Sequence, residues 1–317
     1  GYTVDKDLSQ ITSELVSKGV KYHNQYPEVV SKDEDVNLSN WPEWLNLSLE
    51  ADKEKYGEKT AVIINEILSN KGLPLSNVVY ARDQSNLLAR TWIWSSMRHV
   101  IRQPEVNLYQ GALGHAGIIE NGGVETVFVH GSGKFEGGDG IAYGDNIYIG
   151  VGGRTNMEGV MQIAPVILGQ GKRLLVPIDK QRSAGELGEM DAMHLDTYWM
   201  PCGPKQIVAC NEEVCRRELV EVVNNGGSLK IEDRGWFADY MDKQEIDIVS
   251  LTKPEQEHYA PNFLNLGNDE IVLSLSKGNN LVTELTNRGK KVHCANLKNI
   301  TKGFGGLHCM TAAIKRG

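Results

Sequence analysis

The reading of this chain turns on Lys302-Gly-Phe-Gly-Gly-Leu-His-Cys-Met-Thr311. Three glycines fall in a four-residue window, and His308-Cys309 follows at once. Glycine permits backbone angles and close approaches that other residues resist, so the window reads as a tight loop. A thiol delivered from such a loop is placed for attack, and Cys309 is read as a catalytic nucleophile. A second His-Cys pair serves as an internal control. His293-Cys294 lies in Lys291-Val-His-Cys-Ala-Asn-Leu297, which lacks glycine and reads as a strand, so Cys294 is expected in the core.

Working outward, 317 residues suffice for one large domain or two small ones, and 40% hydrophobic content supports a real core. The net charge is −8, from 41 acidic and 33 basic residues, which argues against nucleic acid or an anionic membrane surface as the main partner. No apolar run approaches the ~18 residues of a membrane span. The opening Gly1-Tyr-Thr-Val-Asp-Lys-Asp7 has no apolar core of a secretory leader, and it lacks an initiating Met, which is compatible with a processed or trimmed start. Five cysteines, none in a CxxC pair, read as reduced thiols of a cytoplasmic protein. Cys210 and Cys215 have no second ligand pair nearby, so no zinc site is expected.

Residues 1–76 are expected as an N-terminal helical segment: Leu8, Ile11, Leu15 and Val16 fall at helical spacing, as do Val62, Ile63, Ile67 and Leu68. Residues 77–317 form the expected catalytic domain. There, short apolar runs such as Asn77–Ala81, Leu87–Trp94, Arg173–Ile178 and Gln206–Ala209 alternate with helical patterns at Asn156–Leu168, Glu212–Asn224, Gly235–Met241 and Asn279–Asn287. The class is α/β, with several strand-pair and helix units, and an internal repeat is suggested by irregular spacings.

Three further blocks carry chemistry. Arg82-Asp83, at the end of an expected strand, can aim a carboxylate into a pocket or simply form a local ion pair. In Glu136-Gly-Gly-Asp139 two glycines let both acids point to one place, although the string is also good hairpin chemistry. In His194-Leu-Asp196 an extended backbone puts the imidazole and the carboxylate on one face, as an acid/base pair or as a satisfied polar pair. A thiol, an imidazole and several carboxylates, without a metal-ligand set or a phosphate-binding loop, suit a planar cation with an electrophilic carbon. A guanidinium is the obvious candidate, because its nitrogens donate to carboxylates in fork geometry while a thiolate attacks the carbon.

Taken in order, Arg82-Asp83, Glu136-Gly-Gly-Asp139, Gly153-Arg-Thr155, Met193-His-Leu-Asp-Thr197 and Gly305-Gly-Leu-His-Cys-Met310 resemble the guanidine-modifying superfamily, and within it arginine deiminase most closely, over roughly Ala81 to Ala313. The resemblance implies a pentein-type α/β propeller of ββαβ units. It implies Cys309 as the nucleophile that forms a covalent adduct, His194 as acid/base, and Glu136 as the carboxylate that binds the guanidinium and assists proton transfer. Asp83 and Asp196 would grip the terminal nitrogens, with Asp139 also substrate-binding. Arg154 and Arg102 would hold an amino-acid carboxylate, and His308 would stand beside the nucleophile. No metal and no organic cofactor is implied. The expected partner is a small guanidine or amidine, with a homo-oligomer left open.

The chain also departs from the family pattern. The opening strand with a Pro-Gly type turn is missing, Tyr80-Ala81 stands where Phe-Thr is common, Ile-Arg-Gln-Pro-Glu surrounds Arg102, and Trp92 and Trp94 follow Asp83. Those tryptophans would be core or would line an altered pocket. The expected reaction is hydrolysis at the guanidinium carbon of arginine or an arginine-like compound. An amidinotransferase, a hydrolase of an aromatic or heterocyclic guanidine, and a catalytically silent binding protein remain alternatives.

Overall fold

The computed structural model describes residues 77–99, 102–115, 124–179, 192–274, 278–297 and 301–313. The expected helical segment 1–76, with its boundary at residue 76, lies outside the described residues. Among the described residues no helix is long and apolar enough to cross a membrane.

The fold is mixed α/β with several small sheets. One pattern recurs four times along the described residues: a two-residue hairpin, a crossover, and a third strand parallel to the second. In the first unit β1 (Ser85–Leu88) and β2 (Thr91–Trp94) pair antiparallel; helix α1 (Gln103–His115) leads to β3 (Glu125–Phe128), parallel to β2. In the second, β4 (Gly140–Tyr143) and β5 (Asn146–Ile149) are followed by α2 (Met157–Gly169) and β6 (Arg173–Ile178). In the third, β7 (Trp199–Gly203) and β8 (Gln206–Cys210) lead to the parallel β11 (Asp247–Leu251). Its crossover carries α3 (Asn211–Cys215), the hairpin β9 (Glu218–Asn225) and β10 (Ser228–Trp236), and α4 (Phe237–Lys243). Beyond α5 (Lys253–Glu257), the fourth has β12 (Leu264–Gly267), β13 (Glu270–Leu273), α6 (Asn280–Asn287) and β14 (Lys291–Cys294). The β12–β13 turn, Asn268-Asp269, has both residues at positive φ (49° and 61°), which matches the right-handed twist of its strands.

Two expected elements are corrected. Asn77–Ala81 forms turns, not a strand. Glu212–Asn224 is a short helix followed by β9, which lies between β6 and β10; its Leu219, Val220, Val222 and Val223 fall at a spacing that also fits one face of a helix.

Burial fixes the frame. Helix α2 turns Val160, Ile163, Ala164 and Ile167 onto Ile147, Leu174, Val176 and Val222 of the second sheet. A larger cluster surrounds Trp199, which packs on Tyr148 and Phe237. Trp92 and Trp94 pack with Met97, Val106 and Leu113 in the core of the first unit, so the core alternative holds for both.

Candidate active site

Each unit delivers a polar residue from the segment just ahead of its first strand. Asp83 lies two residues before β1, Glu136 four before β4, Asp196 three before β7, and Asn262 two before β12. The loop Gly303–Met310 is bonded to three of these segments, through Arg82, Asp196 and Asn262. Every candidate site residue is buried, with Asp83, Arg102, Glu136, Asp139, Arg154, His194, Asp196, His308 and Cys309 no more than 6% exposed.

The Glu-Gly-Gly-Asp turn is built around close approaches. A side chain at Gly137 would collide with the carbonyl oxygens of Arg82 and Ser85, and one at Gly138 would press on the His194 ring, 2.8 Å from Nδ1. The Gly137 amide donates to the Asp83 carbonyl at 3.1 Å, and Asn86 Nδ2 donates to the Gly137 and Gly140 carbonyls. The segments leading into the first and second units are thereby one hydrogen-bonded structure. His194 stands extended, and Leu195–Thr197 then turns as a 3-10 helix, so His194 and Asp196 do not share a face as an extended backbone would place them. His194 faces Glu136 and Asp83, whereas Asp196 faces His308 and Cys309.

His194 Nε2 lies 2.9 Å from Glu136 Oε2, and Nδ1 lies 3.7 Å from Asp83 Oδ1. Burial disfavours its charge, but Asp83, the Glu136 hydrogen bond and Asp139 outweigh burial and raise its pKa to about 9. Burial pushes Glu136 the other way, yet Arg154 and His194 hold its carboxyl well below the usual range. Folded His194 therefore keeps a proton that the unfolded chain releases above its ordinary value of 6.5. That stabilisation is complete below pH 6.5 and lost as pH rises through about 9. Tm is expected to fall across this window, and His194→Gln to flatten the fall; equal slopes in the two proteins would contradict the ion-paired imidazolium.

Cys309 is held by its backbone. Its amide and that of Gly306 both donate to Asn262 Oδ1, at 3.1 and 3.0 Å, and its carbonyl accepts from the Arg82 amide at 2.9 Å. Asn262 also donates from Nδ2 to the Asp196 carbonyl, and Arg82 Nε donates to the His308 carbonyl. The thiol points to Asp196 Oδ2 at 3.7 Å, the same oxygen that His308 Nδ1 approaches at 2.6 Å. Burial, then Asp196 and Asp83, push the Cys309 thiol well above its ordinary value. Asp83 Oδ1 and Asp196 Oδ1 are buried and lack a hydrogen-bond partner.

Three expected binders are already engaged. Both oxygens of Asp139 are used within the protein, one by the Leu195 amide at 3.0 Å and one by the Thr155 hydroxyl at 2.6 Å, so it braces the His194 turn where substrate contact was expected. Burial pushes its carboxyl up to about 7. Arg102 donates to Asp83 and Glu105, and Arg154 lies 4.0 Å from Glu136. Atoms of Asp83, Glu136 and His194 lie within 4.8 Å of one another, as metal ligands would. The two guanidinium groups against these carboxylates already balance the charge a cation would supply.

Asn262 and Glu105 carry no motif that singles them out in the sequence. Asn262→Ala would strand two buried amides, at about 1–3 kcal/mol each. We expect a lower Tm and slower alkylation of Cys309. An unchanged Tm in the alanine variant would contradict this role.

A family model described as arginine deiminase matches residues 7–316. The uncharacterized protein YkgA of Bacillus subtilis (strain 168) is 24% identical over 246 residues, covering 78% of this chain and 72% of that protein. The fold is similar to the N-terminal domain of ArgZ, an arginine dihydrolase from the ornithine-ammonia cycle in cyanobacteria, bound to product (TM-score 0.56, 18% identity, 81% of this chain and 85% of that one). It is also similar to DDAH from Pseudomonas aeruginosa complexed with citrulline (TM-score 0.54, 19% identity, 82% and 88%). A dimethylarginine dimethylaminohydrolase adduct with 4-chloro-2-hydroxymethylpyridine gives a TM-score of 0.54 at 19% identity, covering 74% of this chain and 77% of that one.

Proposed function

The chain belongs to the arginine deiminase family, and from that premise we propose that it is a cysteine-dependent hydrolase of guanidinium or amidine carbons. The observation that carries the reading is the pair of buried carboxylates, Asp83 and Asp196, each with an oxygen that accepts no hydrogen bond and both acting on the Cys309 thiol. A guanidinium supplies N–H donors in one plane for both oxygens. Its charge offsets the two carboxylates that hold the thiol protonated, so binding and thiolate formation are coupled.

On this reading Cys309 loses its thiol proton to solvent as the guanidinium binds, and the thiolate forms an S–C bond to the guanidinium carbon. His194, protonated at neutral pH, gives its proton to the departing ammonia or amine as the C–N bond breaks, and Glu136 holds the imidazole. The same imidazole then takes a proton from water, whose oxygen adds to the carbon. Loss of the thiol returns Cys309 and leaves a urea-type product. Asp139 acts behind His194, and the recurring units close into a pentein-type α/β propeller. Cytoplasmic residence and a homo-oligomer are compatible with the reading.

Intact-mass measurement after rapid quenching, across arginine, agmatine, methylated arginines and cyclic guanidines, tests the chemistry directly. The expected result is an amidino-type mass increment that maps to Cys309. Absence of any increment and of any urea-type product across the panel would refute the proposal.

A further inference from the structure

We propose that the substrate is a guanidine whose chain carries no free carboxylate, an alkylguanidine or an arginine with its carboxyl masked as an amide, and that Glu105 enforces this preference. The inference rests on the proposed guanidine chemistry.

Arg102 is the residue expected to take a substrate carboxylate, and three of its five N–H donors are already bonded to Asp83 and Glu105. Nη1 donates to Asp83 Oδ2 at 2.8 Å and lies 3.7 Å from Glu136 Oε2. Nε and Nη2 both donate to Glu105 Oε2, at 3.1 and 3.0 Å. Glu105 is fully buried and cannot swing aside freely: Gln84 Nε2 donates to Oε2 at 2.9 Å, and the Asn77 amide donates to Oε1 at 3.1 Å. Arg154, the other expected clamp, lies against Glu136.

Three carboxylates therefore surround one buried guanidinium. A fourth, brought by substrate, would have to displace one of them and would meet the remaining charges at close range, away from water, where like-charge repulsion is strong. A guanidinium on a chain without a carboxylate meets no such opposition. It needs only Oδ1 of Asp83 and of Asp196, neither of which accepts a hydrogen bond, and Arg102 remains the fixed counter-ion that orients Asp83.

Steady-state kinetics on arginine, argininamide and agmatine, with adduct mass on Cys309, test this on the full chain. Argininamide and agmatine should match or exceed arginine in kcat/KM. Argininamide or agmatine at or above arginine supports the proposal, and arginine exceeding argininamide overturns it; a carboxylate gripped by a buried arginine would make that excess about tenfold or more. Glu105→Gln keeps the shape and removes one of the three charges; it should move the argininamide-to-arginine ratio toward arginine, and an unchanged ratio in the folded variant removes Glu105 as the determinant. If no guanidine gives an adduct, the underlying chemistry has failed. If arginine alone gives one, that chemistry stands and only this preference has failed.

Discussion

Cys309→Ala should lower turnover by roughly 10⁴-fold or more, the scale on which enzymes lose a covalent nucleophile, and should remove the mass adduct while leaving the fold in place. The bonds that hold the loop come from the backbone: the Cys309 amide to Asn262 and its carbonyl to Arg82 persist in alanine. The lost side-chain contact is a long one, 3.7 Å to Asp196. Circular dichroism and Tm should therefore stay near wild type while product formation stops. Full activity would end the assignment. Cys215, exposed on the surface, is the matched control, and Cys215→Ser should change neither activity nor Tm. Reagent charge gives a further readout. Because burial, Asp196 and Asp83 hold the thiol protonated at neutral pH, a neutral alkylating reagent should react slowly at pH 7 and faster as pH rises. A cationic amidine-type reagent offsets both carboxylates and should react faster at neutral pH.

The second large effect belongs to Gly137. An alanine there sets its methyl against two backbone carbonyl oxygens, those of Arg82 and Ser85, neither of which can rotate away. The turn must open, and with it the hydrogen bond from the Gly137 amide to the Asp83 carbonyl. We expect a loss of ~3 kcal/mol or more in stability, together with loss of activity, because Glu136 and Asp83 separate. Gly114, within α1, has nothing near its position, and Gly114→Ala should stabilise by up to ~1 kcal/mol through helix propensity. A Gly137→Ala variant as stable as wild type would show that the segments bearing Asp83 and Glu136 are not locked together.

The sequence made the chemistry more legible than the scaffold. Cys309, Glu136, His194, Asp83 and Asp196 stand in short blocks with distinctive glycines or paired polar residues, and the fold brings all five residues together. Asn262 escaped because Ala260-Pro-Asn-Phe263 has no motif; its importance comes from accepting two amides 44 and 47 residues away. The two acids of Glu136-Gly-Gly-Asp139 look equivalent on paper, and only the Thr155 hydroxyl and the Leu195 amide distinguish Asp139. The repeat was suggested but its units could not be delimited, because the crossovers are unequal and one contains a whole hairpin. The first hairpin was hidden because Ala89, at φ 52°, occupies a turn position where Gly or Asn is the usual signal, so Leu87–Trp94 reads as one run.

The Arg82–His308 hydrogen bond spans 226 positions of sequence. During synthesis the carboxylates of the first three units emerge and can fold long before the thiol that they serve exists. Catalytic competence would then arrive only with the segment that carries Cys309, and deletion of Gly303–Met310 should stop activity while sparing most of the core. Covalent labelling of Cys309 thus doubles as a report on whether the segments bearing Arg82, Asp196 and Asn262 have assembled around its loop.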